Sequence, residues 1–318
     1  MNAAAVASFS TPPRYTTFAD PIPEEGERLI HVTAAGLHPI VRGLASGSHY
    51  GSGGELPMVP GLDGVGRLDD GSRVFFASAR SPFGTFAELS LASTTCLPLP
   101  EALDDATAAA LANPGMSSWA ALTARARFVA GESVLILGAT GVAGNLAVQI
   151  AKRLGARRVV AAGRNPLALE QAQALGADAT IALNQDQDAL IQAFRAEFAE
   201  GVDVVLDYLW GPPAEAVLAA VAQKGLSKAA PRIRYIEIGA SAGSTIALPG
   251  ATLRSSGLEI LGSGFGSASM PQLRQAIGDL FQSAAQQPFH INIRTAPLKD
   301  VEALWNTPEK ATRLVFQP

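Results

Sequence analysis

The residues best placed to do chemistry are glycines. Gly138, Gly141 and Gly144 follow directly on an unbroken apolar run, Val134-Leu135-Ile136-Leu137, the pattern of a buried parallel strand. Beyond them Leu146, Ile150 and Leu154 recur every four residues with Ala147 and Ala151 beside them, and Gly155 stands where the stripe ends. That is a helix packed on a sheet and closed by a glycine. Strand, glycine turn and helix together leave the first N–H groups of the helix bare at the positive end of its dipole, which suits a pyrophosphate. Gly138, Ala139, Thr140, Gly141, Val142 and Gly144 are expected to cradle one, Gly141 admitting the phosphates and Gly144 letting helix and strand pack closely. The spacing, Ala139-x-Gly141-x-x-Gly144 with Gly138 in front, departs from G-x-G-x-x-G. The strand before it, the helix after it and the repeated units that follow favour a dinucleotide site over a purely structural turn.

The next strand, Arg158-Val159-Val160-Ala161-Ala162, ends at Gly163-Arg164-Asn165-Pro166, about twenty residues beyond the glycines, where an NAD-binding chain usually places an acid for the ribose 2′-hydroxyl. No acid stands there. Arg164 can offer its fork of donors to a 2′-phosphate and Gly163 leaves room for it, which favours NADPH. Asn165 is also expected to cap the next helix, with Pro166 at its first position, and on that reading alone Arg164 is a solvated turn residue.

These residues need a doubly wound parallel sheet to hold them, and the pattern from Glu132 onward supplies one. Strands are expected at Val134 to Leu137, Val159 to Ala162, Ala179 to Leu183, Val202 to Leu206, Ile233 to Ile238 and Leu258 to Leu261, with helices between. Before about residue 115 the chain is rich in glycine and proline and reads as short strands, among them Leu29 to Ala34, Arg73 to Phe76 and Phe86 to Leu91. A helix from Asp104 to about Ala112 is expected to break at Asn113-Pro114-Gly115 and resume from Ser117 to Arg127. The tail carries a helix with Leu273, Ile277 and Leu280 on one face, a strand at Ile291 to Thr295, a short helix around Val301 to Trp305 and a last strand at Arg313 to Phe316.

Length and composition agree: 318 residues suit two domains, and 48% hydrophobic with 16% charged residues describe a compact soluble chain. A net charge of −4 and a pI near 5.6 leave no footprint for nucleic acid or an anionic membrane. Cys96 is the single cysteine, so no intrachain disulfide forms, and with no signal peptide or membrane span in the pattern a cytoplasmic protein is expected. One cysteine and four histidines, His31, His38, His49 and His290, in no ligand spacing exclude a four-cysteine zinc site and argue against a catalytic one.

Several segments in order now meet a family: Ala35-Gly36-Leu37-His38-Pro39, Pro60-Gly61-Leu62-Asp63-Gly64-Val65-Gly66, Gly84-Thr85-Phe86-Ala87-Glu88, Gly115-Met116-Ser117-Ser118-Trp119 and the glycine turn. The chain resembles the medium-chain dehydrogenase/reductase superfamily, in its zinc-free quinone oxidoreductase-like branch. The resemblance implies an α/β protein with a β-rich, GroES-like catalytic domain at 1–115 and 263–318 and a Rossmann-type NADP-binding domain at 116–262. Where zinc-dependent relatives carry Gly-His-Glu, this chain has Gly61-Leu62-Asp63. The turn also looks like the opening of short-chain dehydrogenases, but none of Tyr15, Tyr50, Tyr208 and Tyr235 has a lysine four residues on, so that reading fails.

By the same resemblance Tyr50 stands where quinone reductases often carry a tyrosine, either an oxygen-binding hydroxyl or an ordinary loop residue. His38 replaces an Asn and Val41 an Asp of the family's pattern, leaving His38 as a proton relay or a structural histidine. Ser117 matches a Thr that faces the nicotinamide, or is a helix-entry cap. Gly239 ends a strand at the cofactor-facing edge, Gly264-Phe265-Gly266 resembles the loop passing the nicotinamide, and Arg313 falls where a Lys reaches the cofactor, unless it is a plain surface arginine. The expected activity is NADPH-dependent, zinc-independent hydride transfer to quinones or α,β-unsaturated carbonyls, by a homodimer. The alternative is an NADPH-binding sensor or crystallin-like protein without significant turnover.

Overall fold

Period-two patterning on either side of a run of βα units gives the chain two cores. The computed structural model describes residues 1–53, 55–78, 80–222, 230–308 and 311–318, and every side chain among them except those of 94 and 95. In chain order the strands and helices are β1 (Asn2–Ala5), β2 (Arg14–Thr17), β3 (Arg28–Gly36), α1 (Pro39–Ala45), β4 (Asp63–Arg67), β5 (Arg73–Ser78), β6 (Leu89–Pro98) and α2 (Asp105–Ala120), then a π-type turn (Ala121–Ala126). They continue with β7 (Ser133–Leu137), α3 (Val142–Arg153), β8 (Arg158–Gly163), α4 (Pro166–Ala174), β9 (Ala179–Ala182), α5 (Gln187–Glu200), β10 (Val204–Asp207), α6 (Gly211–Val221) and β11 (Arg232–Glu237). Last come α7 (Gly250–Arg254), β12 (Gly257–Gly262), α8 (Met270–Gln286), β13 (Asn292–Pro297), α9 (Val301–Leu304) and β14 (Thr312–Gln317). One compact unit holds Met1–Pro114 and Gly278–Pro318, the other Gly115–Ile277. Residues 263–277 thus cluster with the second unit.

The second unit is a six-stranded parallel sheet in the order β12-β11-β10-β7-β8-β9. All five residues of β7 are buried, as are all four of β10, because helices cover a parallel sheet on both faces. Leu135, Leu137, Val205, Val217, Tyr235 and Phe194 belong to one core cluster. The strand order turns back between β7 and β10, and in an open sheet of this kind ligands bind beyond the carboxyl ends of the strands at such a reversal. Every strand expected from the βα pattern is present.

The first unit is built on β3, which pairs with β4, β6 and β14. Since β4 pairs β5 and β5 pairs β6, the contact of β3 with β6 closes the sheet on itself and removes two open edges. Its core packs Phe86 edge-on to Phe316 (5.6 Å between ring centroids) and to Trp305 (6.1 Å).

The expected helix break at Asn113-Pro114-Gly115 is absent: α2 runs unbroken from Asp105 to Ala120 with Pro114 inside it. A proline costs a helix one hydrogen bond and a clash. The alanines on its N-terminal side, Ala108 to Ala110 and Ala112, are the strongest helix formers and offset that cost. Phe316 is completely buried, so Phe316→Ala is expected to lower the unfolding free energy by about 3–5 kcal/mol in urea titration, and a loss under about 1 kcal/mol would contradict this core assignment.

Candidate functional site

The glycine turn is shaped by backbone contacts that leave no space for side chains. Gly138 has a φ of +83°, a conformation glycine adopts without strain, and its N–H and that of Ala139 both donate to the Ala162 carbonyl at 3.0 Å. A Cβ on Gly144 would lie 2.5 Å from the Ala139 Cα and closer still to the Gly138 carbonyl oxygen, so the helix is seated directly on the turn. Gly141 is the N-cap of α3, exposed and without a side-chain cap. A Cβ there would meet nothing nearer than the Gly138 oxygen at 3.8 Å. The space beside Gly141 at the start of the helix is therefore open, as approach of a pyrophosphate to a helix N-terminus requires. Ala139 is fully buried and Val142 nearly so, so their side chains are closed to a ligand and only their backbone is on offer. One turn along, the enclosed Asn145 Oδ1 has no hydrogen-bond partner.

At the end of β8, Arg164 is exposed. Asn165 caps α4 as expected, its Oδ1 accepting from the N–H of Leu167 (3.0 Å) and Ala168 (3.4 Å). Gly163 has a different reason from the one read in the sequence. A Cβ on it would collide with the Thr140 side chain, whose Oγ1 lies 3.0 Å away, so the missing side chain makes room for Thr140 and not for a 2′-phosphate.

On the other side of the reversal, Asp207 closes β10. It is fully buried, and its carboxylate accepts from the N–H of Leu209 (2.7 Å) and Trp210 (3.0 Å) and from the Tyr235 hydroxyl (2.6 Å). Burial raises its pKa against the pull of these bonds. Burial, with the Asp207 charge second, raises that of Glu237. Trp210 is held at a φ of 55° and Gly211 at 59°, so the turn after β10 is fixed by Asp207. Between them Tyr208 points its hydroxyl at that of Ser117, 3.4 Å away. Ser117 lies within α2 and is not a helix-entry cap. Gly239 donates its N–H to the Asp207 carbonyl at 3.2 Å, and Gly264 and the 46% exposed Phe265 follow β12. The structure thus brings Ser117, Gly138, Gly141 and Gly239 to the carboxyl edge of one sheet. It adds Tyr208 and Asp207, which the sequence reading missed. Their signal was a polar and an aromatic residue at the end of an apolar strand, where this architecture binds ligands.

The candidates of the first unit fare differently. Tyr50 is 76% exposed, its ring tilted on His49 at 4.1 Å. His38 is completely buried, and neither ring nitrogen makes a hydrogen bond of ordinary geometry. Burial, then the Arg313 charge, holds it well below the usual histidine pKa against a smaller opposing pull from the Ala109 backbone. A neutral imidazole closed to solvent has no route to relay protons, which corrects the expectation of a catalytic His38. Arg313 is no surface residue: it is buried and donates from Nη1 to the Leu37 carbonyl at 2.7 Å, inside the β-rich unit and not reaching out to a cofactor. Asp63, unremarked as a titrating group in the sequence, shares this setting. Its Oδ1 is enclosed without a partner, and burial, opposed by Arg313, pushes its pKa up to about 7.

The model of the zinc-binding dehydrogenase family matches residues 143–279. A protein of Emericella nidulans carrying the name "Probable NADPH-dependent quinone reductase" is 28% identical over 360 residues, 100% of both chains. The quinone oxidoreductase of Lama guanicoe is 34% identical over 224 residues, 66% of each chain. The chain belongs to the medium-chain dehydrogenase/reductase superfamily. Within that superfamily it is quinone oxidoreductase-like. The quinone oxidoreductase of Thermus thermophilus, solved also in complex with NADPH, superposes with a TM-score of 0.81 at 26% identity over 100% of each chain. The matching family is named for zinc, yet among the described residues of this superfamily member no three of His, Cys, Asp and Glu come together as metal ligands.

Two outcomes follow from the site. Gly144→Ala is expected to lose about 2 kcal/mol or more in thermal unfolding, since backbone must shift, whereas Gly141→Ala costs under about 1 kcal/mol; equal losses would contradict the turn's packing. Asp63 keeps its proton up to about pH 7 when folded, whereas an unfolded aspartate loses it near pH 4. Burying Asp63 therefore carries no ionisation penalty below about pH 4, and the penalty grows as pH rises to about 7 and is constant above. Relative to Asp63→Asn, the wild type should lose stability between about pH 4 and 7 in urea titrations, and a pH-independent gap would contradict the raised pKa.

Proposed function

We propose that this chain is an NADPH-dependent oxidoreductase that reduces quinones, with α,β-unsaturated carbonyl compounds as further acceptors, and that it needs no zinc. The observation that carries the reading is the bare N-terminus of α3 at Gly141, open where a Cβ would stand, beside a strand end that offers Arg164 and no acid. The Emericella and Thermus relatives, by name a "Probable NADPH-dependent quinone reductase" and a quinone oxidoreductase crystallised with NADPH, support the same cofactor and acceptor.

Bound NADPH supplies the hydride that an electron-poor acceptor carbon takes up. The residues of the chain do the rest. The first-turn N–H groups of α3 hold the pyrophosphate, and Arg164 holds the 2′-phosphate as a bidentate donor. Ser117, Gly239, Gly264 and Phe265 line the way along the carboxyl edge toward β12. Zinc independence is supported by the dispersal of the histidines and the single cysteine. Pairing of two copies along β12, which among the described residues has only β11 beside it, is part of the same proposal.

The enclosure of His38 favours a second reading, a nucleotide binder without turnover. A panel of 1,4-quinones and enones scored by NADPH oxidation separates the two. Quinone-dependent oxidation, indifferent to chelators, is expected, with Arg164→Ala raising the KM for NADPH about tenfold, as for one lost charge-assisted pair, and leaving kcat near wild type. Tight NADPH binding with no oxidation by any acceptor would favour the binder, and a preference for NADH would overturn the cofactor assignment.

A further inference from the structure

The strand order assigns the two halves of a dinucleotide to opposite sides of the reversal: Arg164 and Asn165 lie on the β8 and β9 side, so the nicotinamide half must run toward β10, β11 and β12. The first residue past β10 is Tyr208. Its N–H donates to the Leu137 carbonyl at 3.2 Å, which sets it against the start of the glycine turn. Its Cβ is 3.3 Å from where a Cβ on Gly138 would be, and its carbonyl oxygen is 3.3 Å from the same position on Gly239. That carbonyl also accepts from the Ser241 hydroxyl at 2.9 Å. The backbone of Tyr208 is thus gripped on both sides, and Asp207 fixes the turn that follows. The ring is left to extend to Ser117, hydroxyl to hydroxyl at 3.4 Å, with the Ser118 side chain a further partner of the phenol.

We propose that Tyr208 and Ser117 form one hydroxyl pair that binds the nicotinamide-ribose half of the cofactor. The inference rests on the nucleotide reading of the glycine turn. Two neutral hydroxyls, each able to donate and accept, match a carboxamide or ribose hydroxyls and would be a poor match for a phosphate. Burial pushes the Tyr208 phenol up to about 12, so it stays a donor at any working pH. Neither residue is a general acid by this account; both are cofactor-binding residues whose loss weakens the nucleotide.

The test is calorimetric titration of the full chain with NADPH and with 2′-phospho-ADP, which keeps the diphosphate and 2′-phosphate and lacks both the nicotinamide and its ribose. Tyr208→Phe is expected to weaken NADPH about five- to tenfold, the loss of one hydrogen bond, and the fragment less than about twofold. Ser117→Ala should reproduce that selectivity, and Arg164→Ala should weaken both ligands alike. Retained fragment binding also certifies that each variant is folded. Equal weakening of both ligands by Tyr208→Phe and Ser117→Ala, or no effect on NADPH, would overturn the pair while leaving the nucleotide reading intact. A wild-type chain that binds neither ligand would sink that reading, and the pair with it.

Discussion

Gly144 and the Gly138 carbonyl approach so closely that no side chain fits between them, and the rest of the site depends on that contact. It seats α3 on the end of β7, which places the helix N-terminus at the carboxyl edge of the sheet, and the absence of a side-chain cap at Gly141 leaves that terminus unsatisfied. The Gly141 N–H is spent on the Gly138 carbonyl, so the donors this helix end has to give are those of Val142, Ala143 and Gly144, with a favourable dipole behind them. The buried strands on either side cannot move to quench it, because every residue of β7 and β10 is packed. Such an end is suited to an anion.

The carboxyl edge is rigid for a second reason. Asp207 sits fully buried and commits its carboxylate to two N–H groups and the Tyr235 hydroxyl. A buried carboxylate is expensive unless it is bonded in this way. Here it also holds Trp210 and Gly211 in left-handed conformations, a local cost offset by the bonds around them. The β-rich unit carries its own buried titratable groups in His38, Asp63 and Arg313, and there burial outweighs the attraction of the arginine in setting the Asp63 proton.

Much of this was legible in the sequence, because its signals are local. The run Val134 to Leu137, the glycines behind it and the four-residue spacing from Leu146 fix strand, turn and helix without tertiary information. Asn165 followed by Pro166 is a cap on its face. What was not legible depends on contacts far apart in the chain. Pro114 reads as a break, yet α2 continues through it. Gly163 reads as space for a phosphate until Thr140 is seen in it. His38 reads as a proton relay or a structural histidine and Arg313 as a cofactor contact or a surface arginine, and both are buried, the latter tied to Leu37 across 276 positions. Tyr208 shows its relation to Ser117, 91 positions away in the chain, only once the chain is folded.

A crystal structure of the full chain with NADPH tests the central claim most directly. Pyrophosphate oxygens are expected within about 3 Å of main-chain N–H groups at Val142 and Ala143, above Gly141. Ordered nucleotide bound elsewhere, with that helix end still facing solvent, would contradict it.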